Sequence, residues 1–218
     1  MYIIGLIDDE PSQLVKIRRT IKSNAPKDVE FDFVAYPLAD KSNLLVEQAF
    51  QSVMQDILNQ KIACLIIDYK IMVKTTKVKG TDIFGRIKDV VPKFPIIMLT
   101  DVVEESIEPI FIDADKVYKK KEFFKLEEEY SKEKVTNIFD SMIKYVTKRD
   151  ELQLTLQDLK QKMVQGKTIG ENIGELLRIE SELDEFYPME QTQIDKVFDT
   201  NKAKEIVELI EKANSMLE

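Results

Sequence analysis

The chain has 218 residues, 44% of them hydrophobic, and a net charge of −8, so it can pack a core as one large domain or as an ordinary domain with an appendage. Histidine is absent, which excludes a Ser-His-Asp or Cys-His triad, a histidine metal site and a phosphohistidine within this chain. The single cysteine excludes an internal disulfide, and no apolar run is long enough to cross a membrane.

The N-terminal stretch MYIIGLIDDE lacks the basic start and small-residue cleavage site of a signal peptide, so a cytoplasmic protein is expected. From residue 2 to about 121, short apolar runs alternate with segments of helical period. The candidate strands are YIIGLI (2–7), EFDFVAY (30–36), ACLIID (63–68), PIIMLT (95–100) and KVYK (116–119). Between them, Ser12 is expected to cap a helix whose Leu14, Ile17 and Ile21 share a face. A second helix is expected over about 43–60, with Leu44, Leu45, Ala49, Val53, Ile57 and Leu58 inward. A third runs from Asp82 with Ile83, Ile87 and Val90 and stops before Pro92. A fourth, over about 103–112, is interrupted by Pro109. Strands that are continuous apolar runs and alternate with helices point to a parallel sheet covered on both faces. Cys64, inside IACLII, reads as a buried and inert thiol.

After Phe124 the pattern is helical to the end. Val135, Ile138, Met142, Tyr145, Arg149, Leu152, Leu156, Leu159 and Met163 are spaced alternately three and four apart, and all but Arg149 are apolar or aromatic. That heptad predicts either a coiled-coil seam, with Arg149 setting register or partner choice, or a long helix packed on its own domain. The stretch QGKTIGEN (165–172) breaks the helix; it contains Gly-Lys-Thr, but Gln161 stands where a phosphate-binding loop needs glycine, and no strand precedes it. Two more helices, about 169–187 and 195–217, are expected to pair as a hairpin on Ile173, Leu176, Leu177, Leu183 and Phe186 against Val197, Ile206, Leu209, Ile210 and Leu217. The expected organisation is therefore 1–124, a long helix over 125–165, and a helical hairpin over 166–218.

In an open parallel sheet, ligands gather at the carboxyl ends of the strands. Here the first strand ends in Asp8 and Asp9, the third in Asp68, the fourth in Thr100 and the fifth in Lys119-Lys120-Lys121. Three carboxylates, a hydroxyl and an amine are thus expected on one edge.

On IIGLIDDE, CLIIDYKI, GTDIFGRIK, PIIMLTD and ADKVYKKKEF, residues 1 to about 124 resemble the receiver domain of two-component response regulators. The resemblance implies an α/β, flavodoxin-like fold with a five-stranded parallel sheet of order 2-1-3-4-5; the handling of that order by a chemotaxis protein is a known example. It implies that Asp68 accepts a phosphoryl group from a partner histidine kinase, and that Asp8, Asp9, Asp68 and the backbone carbonyl of Lys70 hold Mg²⁺. It further implies that Thr100 and Lys120 contact the phosphoryl oxygens. The spacing to Phe123 leaves Lys121 open as the alternative to Lys120.

Several residues depart from the family pattern. Met72 replaces the usual proline, VKTTKVKG lengthens the loop before the third helix, and Val117, with Tyr118 beside it, replaces the switch aromatic. Asp101, where a small residue is usual, either slows phosphorylation or prolongs the phosphorylated state.

The expected output is a protein partner bound by the C-terminal helices, together with a homodimer through the heptad seam. Residues 166–218 carry 6 basic and 13 acidic side chains, which argues against the alternative of a nucleic-acid-binding regulator. A phosphate sink or a degenerate receiver serving as a scaffold is the remaining alternative. No nucleophile–base constellation follows residue 124, so no separate enzyme is expected.

Overall fold

The computed structural model describes residues 1–36, 43–73, 76–101, 116–164 and 169–187. The chain divides into a unit over Met1–Tyr187 and another over Pro188–Glu218; the first is described below. The helices expected over 103–112 and 195–217 lie outside the described residues.

Strands β1 (Tyr2–Ile7), β2 (Phe31–Ala35) and β3 (Cys64–Asp68) alternate with helices α1 (Pro11–Asn24) and α2 (Asn43–Leu58). A short hairpin follows, β4 (Lys70–Val73) against β5 (Thr76–Lys79), and then α3 (Gly80–Val90), β6 (Ile96–Thr100) and β7 (Val117–Lys119). The main sheet is parallel throughout, in the order β2-β1-β3-β6-β7. With the hairpin set aside, its own five strands lie in the 2-1-3-4-5 order of a flavodoxin-like fold. Each expected strand is present, trimmed by at most one residue at each end.

The central strands β3 and β6 are buried at every position, as continuous apolar runs in a two-sided sheet should be. Alternation along the strands divides the core in two. Ile4, Leu6, Cys64, Ile66, Ile97, Leu99 and Tyr118 share one cluster with Ile17 and Ile21 of α1. Ile7, Leu65, Ile67, Ile96, Met98 and Val117 share the other with Val53 and Ile57 of α2 and Ile83 and Ile87 of α3. Burial pushes the Cys64 thiol up to about 12, so it is protonated and inert at neutral pH.

Three local expectations are corrected. Ser12 does not cap α1: the helix begins at Pro11, whose fixed φ suits a first helical residue, and Glu10 holds the cap position. Val90 is 41% exposed, and Val91 takes the inward position after α3. The basic stretch before α3 forms the β4–β5 hairpin rather than a loop.

After the single turn α4 (Lys120–Phe123), helix α5 runs from Glu129 to Val164. Its first half completes the sheet cover: Val135, Ile138, Phe139 and Met142 pack with α1, and Phe139 meets Phe31 edge-on at 5.0 Å. Its second half is covered by α6 (Ile169–Asp184). Tyr145, Leu152, Leu156 and Leu159 cluster with Leu176, Ile179, Leu183 and Phe186. From Val135 to Leu159 the heptad positions are therefore buried against this chain's own core and α6. Arg149 is buried in the seam, ion-paired to Asp150 at 2.7 Å and set over the Tyr145 ring. Of the residues expected on the inner face of α6, Ile173 and Leu177 are exposed. Among the described residues no helix is long and apolar enough to cross a membrane.

Candidate functional site

The register of the parallel strands assembles the site. Ile7 pairs with Ile67, so Asp8 follows β1 level with Asp68 at the end of β3. Asp68 pairs with Leu99, which places Thr100 one step beyond, and Thr100 pairs with Lys119, the residue before Lys120.

The Lys120 amine donates to Asp8 Oδ2 at 2.9 Å and to Asp68 Oδ1 at 2.8 Å. All three side chains are nearly inaccessible, and Thr100 is buried beside them. Asp8, Asp9 and Asp68 each present a carboxylate oxygen, and these oxygens lie within 4.8 Å of one another. Lys121, the alternative left open by spacing, is exposed, whereas Lys120 faces the carboxylates. Asp101 follows Thr100 and is exposed.

Burial outweighs pairing in the electrostatics of the two inner acids. Desolvation pushes Asp68 up to about 6 against the pull of the Lys120 amine, with Asp8 and Asp9 adding repulsion. Asp8 is raised for the same first reason, opposed by Lys120 and by the Glu10 N–H that donates to its Oδ1 at 2.9 Å. Lys120 feels burial pulling it down, yet the two carboxylates hold it above its ordinary value. The edge thus contains a buried cation shared by two acids that are themselves reluctant to ionise. Such a set would be relieved by a further positive charge.

The donor chemistry fits a hard divalent cation. Three carboxylates in reach of one point make an anionic, all-oxygen set of the kind Mg²⁺ takes, with waters filling the remaining positions. Lys70, whose carbonyl the resemblance implies as a ligand, opens β4 two residues after Asp68.

Two further residues shape the site. Gly80 begins α3 where a Cβ would run into the Asp68 carbonyl oxygen, so only glycine lets the helix start this close to the end of β3. Its N–H donates to the Tyr69 carbonyl at 2.8 Å, and the Tyr69 N–H donates to Leu99 O at 2.9 Å, fixing the backbone just past Asp68. The lone glycine between a basic run and an amphipathic helix was the available sequence signal for this approach. Glu10 was not foreseen, because its contribution is a backbone N–H.

No family model matches the chain, and no curated protein does. Among solved structures it aligns with a two-component transcriptional regulator AraC from Clostridium phytofermentans, at 14% identity over 69% of this chain and 99% of that one, TM-score 0.43. It also aligns with the non-phosphorylated receiver domain of the stress response regulator RcsB from Escherichia coli, at 19% identity over 55% and 82%, TM-score 0.38. The RcsB response regulator of Salmonella typhimurium aligns at 15% identity over 84% and 91%, TM-score 0.41. These likenesses are shallow, and the functional reading below rests on the site itself.

Proposed function

We propose that residues 1–124 form a phosphorylatable receiver and that the chain is a response regulator, with Asp68 accepting a phosphoryl group from a phosphohistidine of a partner kinase. The observation that carries this reading is the Lys120 amine bridging Asp8 and Asp68 on the carboxyl edge of a parallel sheet, with Asp9 and Thr100 alongside.

In the proposed reaction an ionised Asp68 oxygen attacks phosphorus, the donor P–N bond breaks as the O–P bond forms, and the imidazole leaves with a proton from solvent. Asp8, Asp9 and Asp68 would hold Mg²⁺, which when bound supplies positive charge against the phosphoryl oxygens. Lys120 is placed to follow the new negative charge, exchanging its Asp68 contact for a phosphoryl oxygen. Thr100 supplies a hydroxyl donor on the neighbouring strand. Raised proton affinity makes Asp68 a more basic nucleophile than an exposed carboxylate.

The output belongs to the helical region in this reading. Phosphorylation adds about two negative charges beside α3 and α4 and biases how α5 and α6 present themselves to a protein partner. Dimerisation through the heptad seam is not part of the proposal, since from Val135 to Leu159 its face is buried within the chain.

Intact mass after incubation with a small phosphodonor and Mg²⁺ tests the chemistry. A single phosphoryl adduct is expected in the wild type, absent in Asp68→Ala and in the presence of chelator. An adduct that survives Asp68→Ala would overturn the assignment.

A further inference from the structure

At the opposite edge of the sheet lies a cleft of about 700 Å³, between the end of α3, the start of β6 and the middle of α5. Its lining includes Ile96, the first residue of β6, whereas Thr100 of the acidic site is the last. Four residues of strand separate the two sites by roughly 13 Å.

The charge of this cleft runs against that of the chain. Lys88, Lys93, Lys116, Lys144 and Lys148 line it, with Asp89 the one acid among the lining residues. Three of these amines are committed: Lys88 to the carbonyls of Pro92 and Phe94, Lys93 to Glu185, and Lys148 to Glu182. The other two have no ion pair among the described residues. Lys116 donates to the neutral Ser141 hydroxyl at 2.7 Å, and Lys144 is exposed.

Helical spacing assembles this arrangement. Ser141, Lys144, Tyr145 and Lys148 stand at i, i+3, i+4 and i+7 of α5, one face of the helix. Pro92, Pro95 and Phe186 give the cleft an apolar wall. Two amines without an ion pair among the described residues, set over such a wall in a volume within the range of small-molecule sites, suit an anion with a flat apolar body. Lysines present phosphate with point charges.

We propose that this cleft binds a phosphate-bearing small molecule with an aromatic body, the chemistry of a nucleoside phosphate, and that Lys116 and Lys144 hold the phosphate. The site is independent of Asp68 and needs no phosphorylation.

Calorimetric titration of the full chain with ATP, adenosine and inorganic phosphate, in magnesium-free buffer, tests it. ATP should bind with a Kd below about 1 mM, adenosine at least tenfold more weakly, and added salt should weaken ATP. Lys116→Gln/Lys144→Gln should lose at least tenfold in ATP affinity while keeping its thermal midpoint, and Asp68→Asn should bind as the wild type does. Lack of ATP binding, equal binding of adenosine, or unchanged affinity in the double variant would overturn the proposal. So would a response to an acidic peptide such as oligoglutamate in place of ATP, which would make the cleft a protein-docking surface.

Discussion

The two edges of the same sheet are built on opposite principles. The carboxyl edge buries Asp8, Asp68, Thr100 and Lys120 together, an arrangement in which desolvation raises both carboxylates despite the ion pairs. The amino edge buries rings: Phe94 meets Tyr145 edge-on at 5.4 Å, Tyr145 stacks on Phe186 at 5.7 Å, and the Tyr145 hydroxyl donates to the Phe186 carbonyl at 2.7 Å. At one edge burial works against the ionised acids and chemistry is concentrated. The other gains stability and fastens α6 to the sheet, helped by the Lys93 N–H donating to Glu185 O at 2.9 Å.

The sharpest way to separate the edges is Asp68→Asn. Loss of the phosphoryl adduct should be complete by intact mass, while urea unfolding shows stability retained or increased, because a neutral amide replaces a desolvated acid. A large loss of stability would mean that the acid serves the fold. Next comes Lys120→Met, which leaves Asp8 and Asp68 buried without their cation and should cost about 3–5 kcal/mol in urea unfolding. Millimolar Mg²⁺ should recover part of that loss; no recovery would argue against the carboxylates as a cation site. At the other edge, Leu183→Ala opens a cavity under α6 and should cost about 3 kcal/mol. Because α6 packs on α5, hydrogen exchange should speed most at the amides of α6 and leave β3 protected. Equal acceleration in β3 would show that the two edges unfold as one unit.

The sequence made the acidic edge legible because a parallel sheet puts its strand ends together, so reading the last residue of each strand reads the site. Asp8, Asp68 and Thr100 were identifiable in that way, and so was the run Lys119-Lys120-Lys121; which of its lysines turns inward was not, and the structure buries Lys120 beside exposed Lys121. The hairpin β4–β5 was not legible. Its Ile71, Val73, Thr76 and Val78 suit a strand, but no Asn-Gly or Asp-Gly marks a turn, and the interspersed lysines read as a loop. The cover of the heptad seam was not legible either. A stripe such as Tyr145, Leu152, Leu156 and Leu159 records that a surface is buried, not which surface buries it, and α6 and a second copy satisfy the same pattern.

The smallest expected effect is the most direct measure of the electrostatic cost at the acidic edge. An ordinary aspartate titrates at 3.8, whereas burial holds Asp68 up to about 6 in the folded chain. Between those values the folded state carries more protons than the unfolded one, so the Asp68 contribution to stability falls as pH rises through that window and is constant above it. A difference of about two pH units corresponds to about 3 kcal/mol, most of it between pH 4 and pH 7. Lys120, held above its ordinary value, stays charged throughout and adds no slope there. The stability of Asp68→Asn relative to the wild type, measured by urea unfolding without Mg²⁺, should therefore grow by about 2 kcal/mol from pH 4 to pH 7. Saturating Mg²⁺ should shrink that growth, because a cation among Asp8, Asp9 and Asp68 favours their ionised forms. A relative stability independent of pH would show that Asp68 ionises without penalty, and one that falls as pH rises would show that the Lys120 ion pair outweighs burial; either result would dissolve the contrast between the edges.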